Sequence, residues 1–206
     1  MTFQEFVEDA ISLPGCFLVF EDEEQGAPAA PNEATDAFLD VFKDKEKAEG
    51  VLRVFHASKE NSRQLLEDAK LLTGGECYAR AVALAIMSYE ELGKSQIAAD
   101  YYSGILPESK YRECFHKHNK TAYANRYAAI GNHPNVRYGY FVDGNIAKTL
   151  ESIRQAALYV DPVNTPSENF SEEDALLLVN KVEAHHEAIQ HAEWLNGRIG
   201  SKALFK

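Results

Sequence analysis

Cysteine is scarce in this 206-residue chain, and its three cysteines lie far apart in the sequence. Cys16, Cys77 and Cys114 form no pair at the spacing of a zinc site, and an odd number gives no disulfide framework. The zinc-protease pattern His-Glu-x-x-His is also missing, although the last predicted helix carries three histidines. The sequence therefore predicts neither a metal ion nor another cofactor.

Long hydrophobic runs are lacking as well. No apolar stretch reaches the roughly 18–20 residues that cross a bilayer, so we expect no membrane partner. The first residues include no basic segment ahead of an apolar one, which favours a cytoplasmic protein over a secreted one. A P-loop, a Gly-x-Gly-x-x-Gly turn after a strand and a Gly-x-Ser-x-Gly elbow are absent, so the enzyme classes that these motifs mark are not indicated.

Positive charge is in short supply, because 21 Lys and Arg residues face 32 Asp and Glu residues and leave a net charge of −11. A total this acidic argues against nucleic acid as a partner. The distribution reverses that inference, since residues 1–50 carry a net −10 and residues 51–206 only −1. We therefore predict an acidic N-terminal extension, residues 1–55, with a short helix, a possible short strand and a linker, followed by a helical domain, residues 56–206.

Apolar residues recur at helical spacing through most of the chain, which predicts an all-α fold. We expect a bundle of four main helices with an irregular acidic extension. The segment Lys43–Gly50 is almost entirely charged and predicts a solvated turn or helix end, and Ser62 or Asn61 is a candidate helix cap. From Ala79 to Tyr89 the chain is apolar nearly all the way round, as in a central helix. The helices are predicted near residues 3–12, 62–72, 77–102, 108–129, 144–160 and 172–195, with short strands near 16–20 and 137–143.

The apolar stretch of the central helix runs directly into a charged one, Glu90-Glu91-Leu92-Gly93-Lys94. Helical spacing places these charges on faces that are apolar one turn earlier, where burial requires that charges be paired. Lys94 can pair with either glutamate. A glycine in mid-helix costs about 1 kcal/mol relative to alanine, and often allows another backbone to approach closely. The segment predicts either an internal polar network with a functional role or a helix that emerges into water.

Basic and aromatic residues are interleaved between residues 110 and 140, where six Lys or Arg residues oppose a single acidic residue, Glu113. The window also holds three histidines and five tyrosines. Cations for phosphates and aromatic faces for bases are what a single-stranded RNA surface needs. The same composition also fits an ordinary helix with packed tyrosines and solvated lysines. The predicted substrate-binding residues are Lys117, Lys120, Glu90, Arg126, Tyr123 and Asp161.

The third predicted helix carries the candidates for catalysis. Arg112, His116 and Lys120 lie four residues apart and share one helix face, whereas His118 is rotated from His116 by about 200°. Histidine can accept and donate protons near neutral pH, and Arg or Lys can stabilise charge on a phosphorus under attack. These groups would suffice for metal-independent RNA cleavage with the 2′-hydroxyl as nucleophile, and the alternative is a histidine-rich solvated face.

Several stretches together resemble the AbiV family of abortive infection proteins, over about residues 58–180 but not over the first 55 or so residues. The resemblance implies a HEPN-type helical domain, whose ribonucleases carry an arginine and a histidine separated by four to six residues. Arg112 and His118 are separated by five residues and fit this pattern. Arg126 and His133, separated by six, rank second because Gly131 interrupts their helix. The matching stretches are Leu65–Leu72, Tyr78–Ala85, Glu90–Lys94, Phe115–Lys120 and Ala157–Asp161.

The resemblance implies an antiphage abortive-infection effector, an endoribonuclease that shuts down translation when a phage-encoded activator triggers it. HEPN proteins usually dimerise, so it also implies a homodimer with two motifs in one cleft. Two alternatives stay open: a non-catalytic helical module that binds RNA or a translation or phage protein, and a scaffold whose acidic extension makes the contact. The predicted catalytic residues are Arg112, His118, His116, Glu91 and Lys94.

The acidic extension itself has two interpretations. Its net −10 could lie over the net +5 of residues 110–140 and compete with RNA until a trigger displaces it. Alternatively, it is a solvated appendage that keeps the protein soluble.

Overall fold

The structure, a computed structural model, describes residues 3–10, 45–104, 106–116, 120–132 and 144–191. Within these ranges the chain is almost entirely helical and contains no strand, which confirms the predicted all-α, HEPN-like bundle. Both predicted short strands lie outside the described residues. The described helices are α1 (Phe3–Ala10), α2 (Lys45–Gly74), α3 (Tyr78–Tyr102), α4 (Glu108–His116), α5 (Lys120–Asn132), α6 (Gly144–Leu158), α7 (Pro166–Asn169) and α8 (Glu172–His191).

Helix α3 is the centre of the bundle, as its apolar surface predicts. It packs against α2 and against every described helix from α4 to α8. Eighteen of its twenty-five residues are buried, many of them alanines, and small side chains let the neighbouring helices approach closely. Burial continues from Leu92 to Tyr102, so the helix does not emerge into water after its charged segment.

Helix α2 begins at Lys45 and is thirty residues long, so of the two interpretations of Lys43–Gly50 the helix end holds over its described residues and the turn does not. Lys and Glu are good helix formers, and Ala48 and Val51 give the segment a buried face. Ser62, a predicted cap, is instead fully buried in mid-helix. The helix runs across the predicted boundary between residues 55 and 56.

Helix α1 opens the acidic extension but belongs to the core. Val7 is fully buried, and the ring of Phe3 meets that of Phe170 edge-on at 5.7 Å between centroids. Helix α1 packs against α8. The start of the extension is therefore not a solvated appendage. Residues 11–44, which carry most of the acidic residues of the extension, lie outside the described residues.

Two helices, α4 and α5, are described where the pattern predicts one from 108 to 129. Residues 117–119, between them, lie outside the described residues, so a single face shared by Arg112, His116 and Lys120 stays a prediction. Helix α8 begins at Glu172 as predicted. The hydroxyl of Ser171 accepts the backbone N–H of Asp174 at 3.2 Å, and the Asp174 carboxylate accepts the N–H of Ser171 at 3.0 Å.

Candidate functional site

Gly93 is the point at which α5 meets the charged turn of α3. A Cβ atom built on Gly93 would lie 1.8 Å from the carbonyl oxygen of Lys120, far inside van der Waals contact. Only a glycine therefore permits this approach. The close backbone contact predicted from the mid-helix glycine is confirmed, and it fixes the first residue of α5 against the Glu90–Lys94 segment.

The charges around Gly93 form a half-buried charged network rather than a solvated surface. Lys94 pairs with Glu91, and the two side chains are 25% and 16% exposed. Glu90 pairs with Arg154 of α6 at 3.8 Å. Arg154 in turn donates three hydrogen bonds to Glu151, at 2.7, 2.8 and 3.0 Å. Of the two sequence interpretations, the structure shows the internal polar network.

Arg154 is a member of this charged network that sequence reasoning missed. It lies sixty residues beyond the Glu90–Lys94 segment on a different helix, so no local spacing connects it to Glu90. Its side chain is only 19% exposed, which restricts its motion, yet it is still open to solvent on one side. Two carboxylates hold the Arg154 guanidinium in place at a helix junction, so Glu90 or Glu151 has to release it before it can bind a phosphate.

Arg112 lies on the surface of α4, where its guanidinium contacts Glu108 at 2.5 Å. Glu108 also accepts a hydrogen bond from Lys47 of α2 at 2.5 Å. These hydrogen bonds, that of Lys47 first, hold the pKa of the Glu108 carboxyl below its usual range. The side chain of Arg112 is 73% exposed, so it is reachable by an RNA phosphate once Glu108 releases it.

The described tyrosines of the basic window pack inward. Tyr123 is 7% exposed, and its hydroxyl accepts a hydrogen bond from the thiol of Cys114 at 3.5 Å. Tyr127 is buried and donates a hydrogen bond to Asp100. Tyr111 is half-buried and stacks on Tyr101 with 4.4 Å between ring centroids. Tyr123, predicted to bind substrate, therefore has no open ring face for a base, and the packed-tyrosine interpretation holds for these three residues.

Asp161 lies in an exposed turn after α6, where its carboxylate accepts the backbone N–H of Val163 at 2.9 Å. Among the described residues it forms no hydrogen bond or ion pair with the charged network. Its observed role is to shape the turn, as Asp commonly does two residues before a backbone donor.

The remaining predicted residues lie partly or wholly outside what is described. The backbones of His116 and Arg126 belong to α4 and α5, but their side chains are not described. Lys117 and His118 fall in the segment 117–119 and have no described position. The structure thus brings together Glu90, Glu91, Lys94 and the backbone of Lys120, and leaves the histidine roles as predictions.

A second polar cluster, which sequence reasoning missed, lies one turn earlier on α3. Ser62 of α2 and Ser88 of α3 each donate their hydroxyl proton to the other's backbone carbonyl, at 2.6 and 2.8 Å. Because both protons are used, Nε2 of His186, 2.9 Å from the Ser62 hydroxyl, acts as the donor to the serine oxygens. Burial first, and then the charge of Lys70, lowers the pKa of His186 to about 4.

The neighbouring histidine completes this serine–histidine junction. His185 is fully buried, and its Nδ1 lies 2.6 Å from the Tyr89 hydroxyl. The signal in the sequence was the interruption of the apolar surface of α3 by Ser88, together with two adjacent histidines on α8. The junction is neutral and its serines are fully buried, and its hydrogen bonds connect α2, α3 and α8.

None of the described helices is both long and apolar enough to cross a membrane. No three His, Cys, Asp or Glu side chains in the described part of the chain are grouped so that they could hold a metal ion.

The described part of the chain is an all-helical bundle whose central buried helix carries a charged turn at its middle, which is consistent with a HEPN-type domain. The family model described as AbiV matches residues 51–187, about two thirds of the chain, and the protein belongs to this family. Membership connects it with abortive infection defence. No curated protein and no solved structure matches the chain.

Proposed function

We propose that this protein is an abortive-infection effector that cleaves RNA without a metal ion. The observation that supports this proposal most is the contact between Gly93 and Lys120. The contact holds Lys120, which is both the first residue of α5 and the last residue of the Phe115–Lys120 stretch, against Gly93 and the charged network around it. The contact thereby connects the charged network with the end of that stretch, and the proposal places the histidines of the stretch beside the network.

In the proposed reaction a histidine, His118, takes the proton of a ribose 2′-hydroxyl, and the oxygen attacks the adjacent phosphorus. The bond from phosphorus to the 5′-oxygen breaks, and His116 protonates that oxygen. The products are a 2′,3′-cyclic phosphate and a 5′-hydroxyl. Arg112 and Lys94 stabilise the charge on the phosphorus, and Glu91 orients Lys94.

Binding of the rest of the RNA is assigned to cations that do not take part in proton transfer. Lys117, Lys120 and Arg126 would hold the phosphates on either side of the cleaved bond, and Glu90 would orient Arg154 for the same purpose. A homodimer would place two copies of these groups in one cleft. A phage-encoded activator would release Arg112 from Glu108, whose carboxylate competes with phosphate for it.

The experiment is to map new RNA 5′-hydroxyl ends in phage-infected bacteria that express the full chain. Wild type should generate such ends, His118→Ala should not, and extracts treated with EDTA should retain the cleavage. His56→Ala is the matched control, because His56 is exposed on α2 and away from the proposed site. Equal cleavage by wild type and His118→Ala would contradict the proposal.

A second candidate is a non-catalytic module that binds RNA or a translation or phage protein. The pairing of Arg112 with Glu108 favours it, since a guanidinium already engaged by a carboxylate is a poor phosphate ligand. This candidate requires growth arrest that survives His118→Ala but is lost when Lys117, Lys120 and Arg126 are neutralised together. The two variants therefore separate the candidates in one experiment.

A further inference from the structure

The turn after α6 presents an unusual amount of apolar surface to solvent. Four of the six large hydrophobic residues that are exposed among the described residues fall within residues 158–163. Val163 is 94% exposed and Val160 75%. Contiguous exposed apolar surface on a globular protein commonly marks a site of interaction with another molecule.

An open cavity of about 420 Å³ adjoins this turn. It lies between the corner joining α2 to α3, the end of α6 and the short helix α7. Glu76, at that corner, adopts a left-handed backbone with φ of 60°, a conformation that is uncommon for a residue other than glycine. The apolar lining consists of Tyr78, Ala79, Leu158, Val160, Pro166 and Phe170. We call the cavity and the exposed turn together the α6–α7 groove.

Carboxylates surround the α6–α7 groove. Glu76 lies in its lining, Asp161 and Glu168 lie on its turn and on α7, and Glu172 begins the next helix. Burial and then the charges of Glu172 and Glu76 raise the pKa of Tyr78, so both carboxylates face that ring. Within the described part of the chain these four acidic residues form no ion pair, and Arg80 is the one cation in the lining.

We propose that the α6–α7 groove binds a protein segment that carries apolar side chains flanked by Lys or Arg. The apolar lining would bury the hydrophobic side chains, and the unpaired carboxylates would pair with the basic ones. RNA fits this groove poorly, because its phosphates would face four carboxylates. A second copy of the chain fits poorly too, since an isologous contact would set the same carboxylates against each other. The proposal does not depend on RNA cleavage.

Binding can be measured with a defined probe, a fluorescein-labelled 15-residue helical peptide of leucine and lysine in amphipathic spacing. Fluorescence anisotropy with the full chain should show saturable binding, and a leucine–glutamate peptide of the same pattern should not bind. Val160→Ser with Val163→Ser should weaken binding by about tenfold, because the buried apolar area is lost. Glu168→Lys with Glu172→Lys should weaken it similarly.

Matched controls separate the groove from the general acidity of the chain. Asp68→Lys with Glu187→Lys makes the same charge change at exposed positions of α2 and α8, and should leave affinity within about twofold. Cys77, in the groove lining, should react more slowly with iodoacetamide when the peptide is bound, as read by mass spectrometry.

Any of three results would overturn the proposal. One is equal affinity of the peptide for wild type and for both groove variants. Another is concentration-dependent dimerisation of wild type that is abolished in the Val160→Ser and Val163→Ser variant. The third is sedimentation of wild type with phosphatidylcholine vesicles through these valines. Those outcomes would assign the groove to a second copy or to lipid.

Discussion

Two consecutive turns of α3 carry polar side chains into the interior, and they do so in different ways. At Ser88 the polar groups are neutral and hydrogen-bonded to one another, and the two serines are fully buried while His186 is mostly buried. At Glu90 to Lys94 they are charged, partly open to solvent and paired with ions from two helices. Under the proposed function, the first cluster maintains the fold and the second binds a charged substrate.

The physical basis of the difference is the cost of burial. A neutral hydroxyl or imidazole can be buried once its hydrogen bonds are satisfied, whereas a buried charge loses hydration that an ion pair only partly replaces. The ion pairs of the charged network therefore offset only part of the free energy that is lost when its charges are dehydrated. Gly93 forms the junction of α3 and α5 at which this network lies. A function for the charges best explains why the protein retains the network there.

The largest expected effect comes from filling the space at Gly93. Gly93→Ala places a Cβ against the Lys120 backbone, so α3 and α5 must separate, and we expect a loss of about 3 kcal/mol or more in the free energy of unfolding. Urea denaturation measures it. The matched control is Gly50→Ala, in α2, where the nearest atom is 3.8 Å away and helix propensity should give a gain of about 0.5–1 kcal/mol. Equal effects of the two substitutions would show that the contact is not tight.

The next effect concerns the serine–histidine junction. Ser88→Ala removes the hydroxyl that donates to the Ser62 carbonyl and that contacts the His186 ring. The loss of these two interactions should lower the free energy of unfolding by about 1–3 kcal/mol. Ser152→Ala is the control, because its hydroxyl bonds a backbone carbonyl on an exposed face of α6. Its cost should stay below about 0.5 kcal/mol in the same denaturation experiment. A Ser88→Ala protein as stable as Ser152→Ala would remove the structural role of the junction.

A third effect is the pH dependence of stability. An unfolded histidine titrates near pH 6.5, whereas burial and Lys70 lower the pKa of His186 to about 4 and Glu183 opposes them. Between these values the unfolded state binds more protons, so stability is lost as the pH falls from 6.5 to 4, by up to about 1.4 kcal/mol per pH unit. His186→Gln should flatten this dependence, since an amide still donates but does not titrate. The exposed His56→Gln serves as control and should leave the slope unchanged.

The smallest effect on stability is expected in the charged network. Arg154→Met should lower the free energy of unfolding by about 1–2 kcal/mol, because the mostly buried Glu90 and Glu151 lose their counter-ion but keep some contact with water. RNA cleavage should nevertheless fall by about tenfold or more, the result of losing one phosphate contact. The control is Arg63→Met, which removes an Arg–Glu pair of the same i,i+3 spacing on exposed α2. Loss of cleavage in both variants would indicate a general effect of charge.

Much of this arrangement followed from local patterns in the sequence. The continuous apolar surface of α3 predicted a central helix, Gly93 predicted the close backbone approach, and the charges beside it left an internal network as one of two alternatives. Ser171, followed three residues later by Asp174, predicted the start of α8. Each of these depends on residues close together in the chain, where helical geometry fixes the outcome.

The features that sequence reasoning missed depend on residues far apart in the chain. Arg154 meets Glu90, and His186 meets Ser62, only because α6 and α8 pack on the same central helix. The beginning of α2 was predicted too late in the chain. Its charged first residues favour helix, but they lack the long apolar pattern on which the prediction depended. The tyrosines of the basic window were equally suited to stacking on bases or to packing, and only tertiary contacts decide between these.

The acidic extension requires a different test from simple truncation. Deleting residues 1–50 would remove Val7 and Ala48 from the core and destabilise the fold for a reason unrelated to charge. Replacing Glu21 and Glu24 together with Gln changes the charge and leaves α1 and α2 intact. Raised RNA binding in that variant would favour a masking role, and unchanged binding would favour a role in solubility.

The most direct measurement counts new RNA 5′-hydroxyl ends per folded protein molecule in phage-infected bacteria, for Arg154→Met and Ser88→Ala in parallel. If the charged turn serves function and the neutral turn serves the fold, Arg154→Met loses cleavage while folded protein persists. Ser88→Ala then cleaves normally per folded molecule although less of it is folded. Normal cleavage by Arg154→Met, with loss confined to Ser88→Ala, would contradict the assignment of the two turns.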